Sequence, residues 1–223
     1  MNTVIFDMDG LMIDSENWTF EEYVKVCAEK GYVMDLACYK SIVGYTMTVI
    51  REKFRKYFGE AFPLDEIISQ VHENLDGRFA REGIPVKPGL KELLAYLERG
   101  QYHMVVATSS DRNRVDSILR QGALTEYFDD VVCGDEVGNG KPDPEIFLKA
   151  CEKAGTTPAS ALVLEDSEWG ILAAHRAGIP CICIPDLKEP GEESRGLTAA
   201  VMHSLEEVIP YLEMRSKNNH LYR

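Results

Sequence analysis

The sequence predicts an α/β fold, in which a Rossmann-like parallel sheet carries helices on both faces and a helical-bundle domain is inserted after the first strand. Three observations predict it. The apolar run Val4–Phe6 ends in Asp7 and is typical of a buried parallel strand. Residues 16–85 then show helical periodicity with few strand-like runs. From Pro88 onward, helix and strand patterns alternate, which is typical of a parallel sheet covered by helices.

The inserted segment contains three stretches with apolar residues at helical spacing. The first is expected to end near Gly31, the second near Gly59, and the third covers Leu64–Leu75. The core of a helical bundle accounts for these stripes without a cofactor. The expected domains are a discontinuous α/β domain of residues 1–15 and 86–223, and a helical domain of residues 16–85.

The rest of the chain alternates between helices and four further strands. Pro88 and Gly89 open an amphipathic helix that ends at Gly100. The expected strands are His103–Ala107, Val131–Val132, Ala161–Leu164 and Cys181–Ile184. Because crossovers between parallel strands are right-handed, the carboxyl ends of all the strands should lie at one edge of the sheet.

The composition excludes several classes of protein. A net charge of −13 argues against nucleic-acid binding, which needs a basic surface. No apolar run approaches the roughly 18 residues of a membrane span, so we expect no membrane association. The six cysteines have no CxxC spacing and are expected to be reduced, buried thiols. The N-terminus enters a strand directly, so we expect a cytoplasmic protein. A monomer or weak homodimer is the expected assembly, although no sequence pattern indicates it.

Two carboxylates leave the first strand together. Asp7 and Asp9 are followed by Gly10, and ligand crevices of open α/β sheets lie at the carboxyl ends of the strands. The pair would suit a divalent cation and an attacking carboxylate. A surface turn uses Asp and Gly equally well, so the later strand ends must decide.

The second and third strands lead to groups suited to an anion. Thr108 and Ser109 offer hydroxyls and backbone amides before a helix, although such residues often serve only as a helix cap. Lys141 lies between Gly140 and two prolines, which restrict its backbone and favour a positioned charge over a solvated one. We expect Thr108, Ser109 and Lys141 to bind the substrate.

Glu165 and Asp166 form a second acidic pair at a strand end. If they converge with Asp7 and Asp9, four carboxylates repel one another unless a cation lies among them. Oxygen ligands without a nearby His or Cys favour a hard cation, and Mg²⁺ suits few carboxylates together with water and a substrate phosphate.

The order of these elements resembles the four motifs of the haloacid dehalogenase superfamily. The motifs are Asp7-Met8-Asp9-Gly10, Thr108, Lys141 in Gly-Lys-Pro-Asp-Pro, and Glu165-Asp166-Ser167. The resemblance covers nearly the whole chain, including the helical cap inserted after the first motif. Within the superfamily the chain is most similar to the β-phosphoglucomutase-like phosphatases.

This resemblance implies a role for each candidate residue. Asp7 would attack phosphorus and become an aspartyl phosphate, and Asp9 would protonate the leaving oxygen and then activate water. Thr108 would hydrogen-bond the phosphoryl group, and Lys141 would neutralise charge beside it. Mg²⁺ would be held by Asp7, the main-chain carbonyl of Asp9, Asp166 and, through water, Glu165.

The function we infer is a Mg²⁺-dependent phosphatase that hydrolyses a small phosphate monoester, with sugar phosphates among the candidates. The alternative is a β-phosphoglucomutase-type mutase, but the family's cap histidine falls on Thr19 and its arginine on Tyr45–Met47, with Arg51 a turn further. A receiver-like phospho-acceptor is a remote alternative, because its lysine comes last in the chain, whereas Lys141 precedes the second acidic pair. A dehalogenase is a less suitable interpretation of the sequence, because removal of a halide needs neither the second aspartate as an acid nor a magnesium site, and the sequence has both features.

The helical insertion is expected to act as a lid, with its hinge near Asp14 and Ser15. Substrate selectivity should reside in cap side chains, for which Trp18, Tyr45 and residues 73–78 are candidates.

Overall fold

The computed structural model describes residues 2–43, 45 and 47–220. It forms two compact units, one of Met1–Ile13 with Val86–Arg223 and one of Asp14–Pro85. The first boundary lies two residues earlier than the sequence suggested, and the second lies at the expected position.

A parallel sheet of six strands is the centre of the first unit. The strands run in the order β3-β2-β1-β4-β5-β6 across the sheet, and every neighbouring pair is parallel. Their bounds are β1 Thr3–Phe6, β2 His103–Ala107, β3 Asp130–Val132, β4 Ala161–Glu165, β5 Cys181–Cys183 and β6 Ala200–Val201. The predicted fold class is confirmed. The sixth strand was not predicted, because two residues show no readable alternation.

Four helices form the second unit. They are α1 Ser15–Glu29, α2 Leu36–Lys40, α3 Met47–Phe58 and α4 Leu64–Glu82. The sequence predicted three of them and missed α2, whose single turn is too short to show a period. This helix begins where the Asp35 carboxylate accepts a hydrogen bond from the Cys38 backbone N–H at 2.7 Å. Aromatic rings dominate the core of the unit, where Phe54 is fully buried and packs against Tyr23 and Phe62.

Helices surround the sheet of the first unit. They are α5 Leu90–Arg99, α6 Arg112–Gln121, α7 Glu145–Lys153, α8 Glu168–Arg176, α9 Glu192–Gly196 and α10 Val208–His220. All residues of β1 and β4 are buried, which explains why both strands are nearly continuous apolar runs. Within the described residues, no helix has the length and apolarity that a membrane span requires. All six cysteines are buried and have free thiols.

The residues that follow β1 and β2 are still tied to the sheet. The backbone N–H of Asp7 donates to the Leu164 carbonyl at 3.0 Å, and that of Thr108 donates to the Val132 carbonyl at 3.1 Å. These hydrogen bonds fix the first polar residue after each strand relative to the neighbouring strand. The side chains of Asp7 and Thr108 therefore start from rigid positions at one edge of the sheet.

Candidate active site

Asp7 is a buried carboxylate at the carboxyl edge of the sheet. Only 6 % of the residue is exposed, and Oδ1 accepts a hydrogen bond from the Lys141 ammonium at 2.5 Å. Burial raises the pKa of Asp7 to about 7; Lys141 acts in the opposite direction, and the nearby Glu165 carboxylate adds to the rise. A further cation beside Asp7 would favour its ionised form.

Lys141 joins two acidic residues. Its Nζ lies 2.5 Å from Asp7 Oδ1 and 2.6 Å from Glu165 Oε1, and it also donates to the Ala107 carbonyl at 3.3 Å. Burial by itself would lower the pKa of this lysine, but the two carboxylates outweigh that effect and raise the pKa above its ordinary value. Lys141 is therefore a fixed positive charge, as the constrained Gly-Lys-Pro segment predicted.

Glu165 is fully buried and is the last residue of β4, whereas the sequence placed it in the following loop. Its Oε1 accepts from Lys141, while Oε2 accepts from the Ser167 backbone N–H at 2.8 Å and the Ser167 hydroxyl at 2.9 Å. Gly170 lies directly over this carboxylate, and a Cβ there would come far closer than the 3.0 Å that real Cβ atoms respect. Glu165 is thus fixed in position and holds the Lys141 ammonium through a buried hydrogen bond.

Asp7, Glu165 and Asp166 form the acidic cluster of this edge. One carboxylate oxygen from each lies within 4.8 Å of the others, and Asp166 is partly exposed. Gly10 has a φ of +82°, and a Cβ at this position would overlap the Asp166 carboxylate. Three oxygen donors at this spacing fit a hard divalent cation such as Mg²⁺. Because both oxygens of Glu165 already accept hydrogen bonds, direct ligation fits Asp7 and Asp166 better.

Thr108 and Ser109 follow β2 at the carboxyl edge of the sheet, and their side chains differ in exposure. Thr108 is 1 % exposed, and its Oγ1 accepts a hydrogen bond from the Ser110 backbone N–H at 3.2 Å. Ser109 is exposed and lies three residues before the start of α6. The loop therefore offers one buried hydroxyl and one exposed hydroxyl just before a helix N-terminus, which favours anions.

The carboxylate of Asp9 has other partners than the acidic cluster. Its Oδ2 accepts a hydrogen bond from the Ser110 hydroxyl at 2.8 Å, and its Oδ1 accepts one from the Arg114 guanidinium at 3.0 Å. The Asp9 side chain is 24 % exposed, against 9 % for the Asp7 side chain. The two acids of the first motif are thus in different surroundings.

The fold and this geometry agree with the comparison to known families. Residues 4–184 match the family of haloacid dehalogenase-like hydrolases. The chain belongs to this family. Several of its relatives are named phosphatases, so the chain is an enzyme of the phosphoric monoester hydrolase class, which excludes the receiver-like alternative.

Three relatives illustrate the range of this haloacid dehalogenase-like group. A phosphorylated carbohydrates phosphatase of Thermotoga maritima is 35 % identical over 181 residues, covering 80 % of this chain and 82 % of the relative. A validoxylamine A 7'-phosphate phosphatase of Streptomyces hygroscopicus is 30 % identical over 185 residues, covering 80 % and 83 %. A crystal structure from Thermotoga maritima, provisionally named a β-phosphoglucomutase, is 30 % identical with a TM-score of 0.79, covering 96 % and 99 %.

For this haloacid dehalogenase-like chain, the sequence did not reveal the partners of Asp9. Arg114 is 105 positions away from Asp9, and no short motif links them. One signal was present. Arg112 and Arg114 lie in the first turn of α6, where the helix dipole disfavours a cation, so each is expected to need an acidic partner. Arg112 pairs with Glu136, and Arg114 pairs with Asp9.

Proposed function

We propose that the protein is a Mg²⁺-dependent phosphatase of small phosphate monoesters and acts through an aspartyl-phosphate intermediate. The observation that carries this proposal is the buried Asp7 at the carboxyl end of β1. Asp7 is paired with Lys141 and lies within 4.8 Å of carboxylate oxygens of Glu165 and Asp166. A carboxylate in this setting has one oxygen fixed by a cation and the other available for attack.

The first half-reaction transfers the phosphoryl group to the protein. An Asp7 oxygen attacks phosphorus, the bond between phosphorus and the ester oxygen breaks, and the proton of Asp9 passes to the departing alcohol. Lys141 and the Thr108 hydroxyl stabilise the charge that develops on the phosphoryl oxygens, and the exposed Ser109 provides a further donor. In the second half-reaction, Asp9 removes a proton from the water that attacks phosphorus, which releases inorganic phosphate and restores Asp7.

Asp7, Asp166 and the main-chain carbonyl of Asp9 would hold the Mg²⁺, with Glu165 contributing through water. The cation would supply positive charge next to the phosphoryl group and favour the ionised form of Asp7. The donors are oxygen atoms, which favours a hard cation. Without a cation, burial and Glu165 hold the pKa of Asp7 near 7, which weakens it as a nucleophile at neutral pH.

The substrate class proposed is a phosphorylated sugar or a similar polyol phosphate. Two of the relatives are named as phosphatases of such compounds. A mutase is the second candidate, since one structural relative carries that provisional name. Within the helical unit, Thr19 donates its hydroxyl to the Ser15 carbonyl at 2.7 Å, and exposed Arg51 forms a bidentate pair with Asp65. Thr19 has no ring nitrogen with which to replace the mutase histidine, and Arg51 is paired with Asp65 within the helical unit. Gly44 and Thr46 lie outside the described residues.

The unit of Asp14–Pro85 is proposed to be the cap that selects the substrate, because it is inserted in the loop that follows Asp9. Trp18 is a candidate for that role; its ring stacks on Phe79 and lies under the Arg78 guanidinium, 3.9 Å from the ring centroid. A change in the rank order of accepted esters in Trp18→Ala would support this proposal, and an unchanged order would contradict it.

We also propose that the enzyme acts in the cytoplasm as a monomer or weak homodimer. Its six free, buried thiols suit a reducing compartment. Cell fractionation and sedimentation velocity test the two parts of this proposal.

Phosphate release from a panel of sugar phosphates, nucleotides and small acid phosphates tests the main proposal. Purified protein with Mg²⁺ is expected to hydrolyse some members of the panel, and Asp7→Asn is expected to lower the rate by about 10³-fold or more. Asp130→Asn is the matched control, because it makes the same change at the first residue of β3, whereas Asp7 follows the carboxyl end of β1. Isomerisation of β-glucose 1-phosphate would favour the mutase; full activity of Asp7→Asn would overturn both candidates.

A further inference from the structure

The Asp9 carboxylate is held at two points by side chains that follow β2. Ser110 Oγ donates to one oxygen at 2.8 Å, and the Arg114 guanidinium donates to the other at 3.0 Å. The Arg114 side chain is 28 % exposed and that of Asp9 is 24 % exposed. This pair is more exposed than Lys141 and Asp7, whose side chains are 6 % and 9 % exposed.

Both holding residues are themselves fixed. The Ser110 backbone N–H donates to Thr108 Oγ1 at 3.2 Å, and its carbonyl accepts from the Gly134 N–H at 2.9 Å. The Arg114 backbone N–H donates to the Asp111 carboxylate at 3.0 Å, which caps α6. A carboxylate bound at one oxygen can still rotate, whereas two donors anchored to a loop and a helix define its plane.

The location of Arg114 adds an energetic argument. A cation in the first turn of a helix faces the positive end of the helix dipole, which is unfavourable. The pairing with Asp9 offsets that cost, so the two charges stabilise each other's positions across the edge of the sheet. Lys141 cannot replace Arg114 in this role, because its ammonium is engaged by Asp7 and Glu165.

We propose that Arg114 is a positioning residue that holds the Asp9 carboxyl group in the orientation in which it gives its proton to the leaving oxygen. This inference rests on the proposed function, in which Asp9 is the proton carrier. Proton transfer needs heavy atoms within about 2.6 to 3.2 Å of each other, so a small rotation of the carboxylate is costly. Arg114 acts through Asp9 and not on the phosphoryl group.

This role makes the need for Arg114 depend on the leaving group. Benzyl phosphate releases an alcohol that must be protonated, whereas p-nitrophenyl phosphate releases a stable phenolate. The two esters are similar in size. The ratio kcat/KM reports steps up to the departure of the leaving group, so the later hydrolysis of the intermediate does not enter the comparison.

The test measures kcat/KM for both esters in Asp9→Asn, Arg114→Ala, Arg114→Lys and the double variant Asp9→Asn/Arg114→Ala. Arg114→Ala is expected to lower kcat/KM for benzyl phosphate by about tenfold and to change the value for p-nitrophenyl phosphate by less than about twofold. Arg114→Lys should recover part of the loss. In the Asp9→Asn background the Arg114 substitution should have no further effect, because coupled residues are not additive. Arg120→Ala, an exposed arginine of the same helix, is the control.

Three results would overturn the inference: no loss in Arg114→Ala, an equal loss for both esters, or a further loss in the Asp9→Asn background. An equal or persistent loss would mean that Arg114 supports the fold or binds the substrate itself. If Arg114→Ala does not fold, Arg114→Met replaces it at nearly the original side-chain length. Unchanged hydrolysis of benzyl phosphate by Asp9→Asn would instead refute the proposed function.

Discussion

Gly170→Ala is expected to damage both stability and activity, although alanine is normally the better helix residue. Gly170 lies in the first turn of α8 and leaves room for the carboxylate of Glu165. An added Cβ would overlap that carboxylate, so either the helix or Glu165 must move. The end of a glutamate usually moves at little cost, but here it is bound by Lys141 and by two donors of Ser167.

The magnitude follows from three contributions. Overpacking a buried site costs about 1 to 3 kcal/mol. Loss of the charged hydrogen bond between Glu165 and Lys141 adds about 1.5 to 3 kcal/mol. Alanine returns at most about 1 kcal/mol through its helix propensity. The net destabilisation is about 3 kcal/mol, which lowers Tm by about 6 to 12 °C in a protein of this size. Since Lys141 also fixes Asp7, phosphate release should fall by about 10²-fold.

Thermal unfolding and phosphate release measure these two effects, and Gly77→Ala is the matched control. Gly77 lies inside α4, where an added Cβ would meet only the flexible end of Arg81, at 3.2 Å. The same substitution should therefore raise stability there, by up to about 1 kcal/mol. If Gly170→Ala unfolds at the wild-type temperature with wild-type activity, the assigned packing of Glu165 beneath α8 is wrong.

Three further predictions follow from the charges of the site. Without metal, burial raises the pKa of Asp7 from 3.8 to about 7, so the folded state binds this proton more tightly than the unfolded chain. The stability of the wild type relative to Asp7→Asn should therefore fall as pH rises from about 4 to 7. Unfolding of both proteins in EDTA at a series of pH values measures this difference in stability. A difference that stays constant with pH would contradict the prediction. Lys141→Met leaves Asp7 and Glu165 without their shared cation, so it should lower the free energy of unfolding by about 3 to 5 kcal/mol and abolish activity. Lys188→Met removes a lysine from an exposed ion pair and should change stability little. Equal shifts in Tm for the two variants would count against the buried pair. Mg²⁺ at a hundred times its Kd should stabilise the wild type against unfolding by about 2.7 kcal/mol, and removal of Mg²⁺ by a chelator should abolish phosphate release. Asp166→Asn should show neither the stabilisation by Mg²⁺ nor the loss of activity on chelation. If this variant retains either response, Asp166 is not a ligand.

Most of the fold was readable from the sequence because its strands are buried on both faces. Strands β1, β2 and β4 are apolar runs followed directly by polar residues, so their ends could be located within one residue. The exception is Glu165, which belongs to β4 although it is charged. A pattern of apolar residues cannot predict a charged residue inside a strand, because its burial depends on Lys141, which is distant in the chain.

The convergence of the site residues was also predictable, because parallel strands place their carboxyl ends at one edge. Individual contacts were not predictable. Lys141 reaches Asp7 across 134 positions, and Arg114 reaches Asp9 across 105. Such contacts depend on the packing of α6 and α7 against the sheet, which no local pattern describes. Ser110 follows Thr108 and Ser109 in the loop after β2, and nothing in the local sequence indicates that it is a partner of Asp9.

The different surroundings of Asp7 and Asp9 give a physical basis for two chemical roles within one short motif. Asp7 is enclosed, and its charge is balanced by a buried lysine and by the cation that the acidic cluster suits. A nucleophile benefits from this arrangement, because its position is fixed and the adjacent positive charges favour its ionised form. Asp9 is more exposed, and a serine and an arginine hold its carboxylate at the edge of the sheet. A proton carrier must be approached by the leaving oxygen and then by water, so the greater exposure of Asp9 suits this role while its two partners keep its orientation. Gly10 allows the divergence, because its φ of +82° turns the chain sharply beside Asp166.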